Sequence, residues 1–127
     1  METAEALGYP PDRQLPRLGE LPGDLWPEIE HAAPRSFGEY LRLAQHDTDV
    51  RAWAEGLSSL LREELERYPE GAHLLVVSHG GIVELGAVGA LGAVVERWGP
   101  TLGYLEGVRM ELDGRVWTNG SVVRSSA

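Results

Sequence analysis

Cysteine is absent from the 127 residues. Disulfides, thiolate metal sites and a cysteine nucleophile are therefore all excluded. Lysine is absent as well: every basic residue is an arginine. That pattern reads first as genome composition, although the guanidinium group also suits phosphate recognition. Positive charge is scarce overall, with 11 Arg against 20 Asp and Glu and a net charge of −9. A nonspecific nucleic-acid binder needs the opposite field, so no nucleic-acid partner is expected. No apolar run is long enough to span a bilayer; Leu85 to Val95, rich in Ala, Gly and Val, is too short. Met1 is followed at once by Glu2, which is unlike a signal peptide. The expectation is a cytoplasmic chain with no membrane partner.

What is present suits one modest domain, with 43% apolar residues. Glu2 to Gly8 reads as a helical tail stopped by Gly8 and Pro10-Pro11. Gln14 to Leu18 reads as a short edge strand. Residues 19 to 35, with Pro22, Gly23, Pro27 and Pro34, read as a loop. Ser36-Phe37-Gly38-Glu39 has capping-box spacing and starts a short helix. Asp47 offers a second N-cap. After it, Val50, Trp53, Leu57, Leu60, Leu61, Leu65 and Tyr68 recur at helical spacing until Pro69. Their stripe is a core face. Ile82 to about Glu96 is apolar on most faces, so it should pack between layers. Gly86, Gly89 and Gly92 along it would admit a neighbouring backbone. Val108 to Leu112 and Val116 to Thr118 flank Asp113-Gly114, a hairpin signal. Glu106 and Arg109 could pair on that strand and read as structural. The tail from Arg124 is expected to fray.

The most informative run is His73-Leu74-Leu75-Val76-Val77-Ser78-His79-Gly80-Gly81-Ile82-Val83-Glu84. It reads as a buried strand, Leu74 to Ser78, turning through two glycines into a helix. Ligands of open α/β sheets bind at the carboxyl ends of strands. Helix N-termini attract anions because their first N–H groups lack intrahelical acceptors. A phosphate or similar oxyanion beside His79 is the chemistry this pattern suggests. His31, His46 and His73 lack metal-pairing spacing and read as surface or loop residues.

Strand-Ser-His-Gly-Gly-helix closely resembles the second histidine motif of the histidine phosphatase superfamily, the phosphoglycerate-mutase-like proteins. Three further segments agree in order. Glu2-Thr3-Ala4-Glu5-Ala6-Leu7-Gly8 is similar to the helix after the family's second arginine. Leu18-Gly19-Glu20-Leu21 with Gly23-Asp24 is similar to the segment carrying its acidic residue. Gly103 to Met110 resembles a penultimate-strand segment of some bacterial members. The resemblance implies a three-layer α/β/α sandwich over residues 1–127. It implies phosphoryl transfer from small phosphomonoesters through a phosphohistidine, with no cofactor and no metal.

By that resemblance His79 stabilises the transferring phosphoryl group, since a protonated imidazole donates from two nitrogens. A plainer reading is a histidine capping a strand end. Gly80 and Gly81 would let backbone N–H groups approach the phosphate, or simply make a tight turn. Glu20 stands where the family has its proton donor for the leaving alkoxide; a solvated loop carboxylate is the alternative. Glu84 could contact a cationic substrate group or orient a neighbour, while a solvent-facing position is the plainer expectation.

The family's nucleophile lies in an Arg-His-Gly motif on its first strand, and no Arg-His pair occurs here. The resemblance thus points to a domain lacking that strand, through a miscalled start, a truncated gene or a fragment. The chain itself would be inactive, and a non-catalytic module that binds phosphate-bearing ligands or interacts with other proteins is the competing reading. In the family the first strand lies beside the strand carrying His79. Its loss would bare strand edges, so rearrangement, a homo-oligomer or a complementing partner strand is expected.

Overall fold

The computed structural model describes residues 23, 25–76, 78, 80–103 and 105–125. The readings at Glu2–Gly8, Gln14–Leu18, Glu20 and His79 lie outside the described residues. Helix α1, Trp26–Ala32, occupies the middle of the stretch expected to be a loop. Pro27 does not prevent it, because a proline in the first turn gives up an N–H that has no helical acceptor and brings a suitable φ. Glu28 adds a favourable charge in that turn. The helix ends at Ala33, in the left-handed region with φ 45°, where its N–H donates to the Ile29 carbonyl. Pro34 then disfavours further helix at the residue before it.

Helix α2, Phe37–His46, begins at the expected cap: the Glu39 N–H donates to Ser36 Oγ at 3.1 Å. The Glu39 carboxylate accepts in return from the Ser36 hydroxyl and the Arg35 N–H. Helix α3, Thr48–Glu66, starts at Asp47, whose Oδ1 accepts from the Asp49 and Val50 N–H groups at 3.0 and 3.1 Å. Val50, Ala54 and Leu57 are buried along its inner face. Tyr68 falls beyond the helix end and is exposed, contrary to its expected place in the stripe.

Helix α4, Ile82–Leu91, is shorter than expected. Gly92 breaks it at φ 58°, ψ −129°, and the chain continues as a 3₁₀ helix, Gly92–Arg97. An L side chain resists that conformation, so Gly92 terminates the helix rather than admitting a neighbour. Gly89 does admit one. A Cβ there would overlap the Ala54 carbonyl of α3, and one on Gly86 would touch Leu57.

Strands β1, Gly107–Asp113, and β2, Val116–Val123, form an antiparallel hairpin around Gly114, which has φ 63°. The register runs from Asp113↔Val116 to Gly107↔Val123, with an irregularity between Glu111 and Leu112. The hairpin packs on α4, and α4 packs on α3 and α2. The apolar helix therefore lies between layers, as its composition predicts. Phe37, Val50, Leu85 and Val95 are fully buried. Phe37 meets Trp98 edge to face, with centroids 5.4 Å apart.

Three further expectations are corrected. Leu74–Val76 form no strand among the described residues: they join no ladder and are exposed, Leu75 at 63%. A strand needs a neighbour for its backbone groups, and here a cavity adjoins the segment. Among the described residues the sheet is the two-stranded hairpin alone, so the fold is mixed α/β. Glu106 pairs not with Arg109 but with Arg124, at 3.0 Å. Arg124 also donates to the carbonyls of Trp98, Pro100 and Thr101. The chain end expected to fray is thereby tied down as far as Ser125, whose N–H donates to Glu106 Oε2.

Candidate functional site

The Ser78–Gly81 turn leads directly into α4. Gly81 is its N-cap, at φ 87°, ψ −52°. This positive φ is the local reason for glycine there, since side chains rarely adopt it. Gly80 is exposed, with open space where a Cβ would stand. Gly81 is buried, and the Tyr40 phenol oxygen lies 3.4 Å from its Cβ position. Ile82 and Val83 open the helix, so their N–H groups have no intrahelical acceptor.

Glu84 departs from its solvent-facing expectation, being only 1% exposed. Its Oε1 accepts from the Gly81 N–H at 2.8 Å, and its Oε2 accepts from the Leu102 N–H at 3.2 Å. One carboxylate thus caps α4 and fastens the 100–103 segment to it. Backbone donors at a positive helix end make this burial tolerable. Both Glu84 oxygens thus hold backbone donors at the turn. Desolvation, followed by the nearby Glu84 charge, pushes the Tyr40 hydroxyl up to about 12. The Glu84 contact to Gly81 is a local cap at capping-box spacing, whereas its contact to Leu102 and the place of Tyr40 arise from non-local packing.

Beside the turn lies a cavity of about 520 Å³. Residues 72–76 and Ser78 line one side, Leu57, Leu61, Ile82 and Gly86 contribute apolar surface, and residues 108–112 with Trp117 complete it. His73, read as a surface or loop residue, is exposed and lines this cavity. Among the described residues no group of three or more His, Asp or Glu could hold a metal ion, and no helix is long and apolar enough to cross a membrane.

The geometry can present backbone donors to an anion at Gly80–Val83. The Glu84 carboxylate opposes this, because it already uses the Gly81 N–H and repels a second negative charge. In comparisons with known proteins, the chain matches no family model, no curated protein and no solved structure at a significant level.

Proposed function

We propose that the chain is a histidine-phosphatase-like domain whose Ser78–Gly81 turn receives the phosphoryl group of a small phosphomonoester. The reading rests on the ordered sequence resemblance. The observation that carries it is Gly81, held at φ 87° at the start of α4 directly after Ser78-His79-Gly80. In this proposal His79 and the N–H groups at Gly80 and the helix start stabilise phosphoryl charge. Glu20 gives a proton to the leaving alkoxide. The complete form is a three-layer α/β/α sandwich that transfers the phosphoryl group to a histidine and then to water or an acceptor.

The 127 residues contain no Arg-His pair. This favours a second reading for the chain as it stands: it binds phosphate-bearing ligands without turning them over. The purified chain should show negligible hydrolysis of p-nitrophenyl phosphate and weak, millimolar-range binding of phosphate or vanadate. Backbone NMR titration should shift residues 80–82. Shifts confined to distant residues would refute the site. Turnover that His79→Ala abolishes would show that another group serves as nucleophile.

A further inference from the structure

Strand β1 has one edge without a partner among the described residues. It pairs with β2 along the other edge, and its residues 108–112 line the cavity. The hairpin register passes from Glu111↔Asn119 to Leu112↔Trp117. The extra residue, Thr118, is therefore on β2, and β1 itself has no bulge. No proline interrupts Gly107–Asp113 either. Both of those backbone devices for blunting an edge are thus missing, and such an edge is a template for a further strand. Charged side chains also deter pairing, unless the incoming strand matches them.

The strand that matches β1 is β1 itself. Val108, Met110 and Leu112 are half-buried on one face, where Val108 and Met110 pack against the core. Arg109 and Glu111 are exposed on the other. Among the described residues no ion pair engages Arg109, while one Glu111 oxygen accepts from Asn119 Nδ2 at 3.3 Å. An antiparallel second copy centred on Met110 sets Arg109 opposite its Glu111, and Glu111 opposite its Arg109. The same register sets Val108 opposite Leu112 and Met110 opposite Met110. Opposite charges directly across an antiparallel pair stabilise it. A slip of one residue would set charged residues on the apolar face. A slip of two would set Arg109 opposite Arg109 or Glu111 opposite Glu111, which repel.

We propose that β1 is a self-pairing edge: two copies of the chain join antiparallel about Met110 and merge their hairpins into one four-stranded sheet. The two-fold axis at Met110 makes each charge pair occur twice. The apolar face of the joined sheet then runs on beneath α4 of both copies, since each hairpin packs on its own α4. Residues 72–76 stand across the cavity from β1 and join no ladder among the described residues. The second hairpin enters on their side, and Leu74, Leu75 and Val76, exposed in the single copy, border it in the dimer.

Sedimentation equilibrium of the full chain, from micromolar to near-millimolar concentration, tests this. A reversible dimer is expected, with hydrogen exchange at residues 108–112 slowing as concentration rises. Arg109 and Glu111 are both exposed, so their variants keep the fold, which circular dichroism checks. Arg109→Glu and Glu111→Arg should each weaken the dimer about tenfold, because each sets like charges opposite one another at two places. The double variant R109E/E111R should restore it, with the charges reversed. Mixing the two single variants should also restore it, as a heterodimer in which every charge meets its opposite. A monomer at all concentrations would overturn the proposal, as would a dimer that the single variants leave unchanged. So would a monomer whose 108–112 amides already exchange slowly, since the edge would then be covered within the chain.

Discussion

At the scale of single residues, Glu84 shows how burial assigns a role that residue type leaves open. An acid at the third helical position suits the helix dipole in any context. Here its second oxygen also reaches the Leu102 N–H, eighteen residues away in sequence. Glu84→Ala would leave both donors without this acceptor, at about 1–3 kcal/mol for each that stays buried and unpaired. The variant should lose roughly 2–4 kcal/mol of unfolding free energy in urea denaturation. A loss within about 0.5 kcal/mol, the range of an ordinary surface substitution, would show that the pairing contributes little. Gly81 was more legible. A Gly-Gly pair between an apolar run and a helical pattern requires a turn, and its φ of 87° is one that glycine adopts readily.

Among the elements, the helix starts were readable because caps are local. Ser36 and Asp47 each hold an N–H two or three residues ahead. Helix α1 was not readable from its prolines alone, since Pro27 stops a helix only from an interior position and sits here in the first turn. The glycine series along α4 divided by context. Gly86 and Gly89 face α3, whereas Gly92 ends the helix. Gly89→Ala should therefore separate α3 from α4, because the added methyl meets the Ala54 carbonyl, a backbone group that cannot rotate away. A loss of about 1–3 kcal/mol is expected, visible as a lowered thermal midpoint. An unchanged midpoint would mean that the helices slide apart freely.

Across the whole molecule, Arg124 fastens the end of the hairpin to the segment after the 3₁₀ helix, with Glu106 as its carboxylate partner. The Gly103 and Ser125 N–H groups, with Arg124, hold the Glu106 carboxyl below its ordinary value of 4.5. A lowered folded-state value means that stability is present above 4.5 and is lost as pH falls through the folded value. Thermal midpoints of the wild type should decline over that acid window, and Arg124→Ala should flatten this part of the curve. Identical pH profiles would remove the clasp from the account. Composition, local periodicity and turn chemistry determined the capped helices, the apolar α4, the Asp113-Gly114 hairpin and the glycine turn at 80–81. Each depends on residues within a few positions of one another. Tertiary structure alone decided that Leu74–Val76 join no ladder among the described residues, that Glu84 lies buried between α4 and the 100–103 segment, and that Arg124 is an anchor. Those outcomes depend on groups far apart in sequence. An apolar run such as Leu74–Val76 can specify a strand only when another backbone stands alongside to complete its hydrogen bonds.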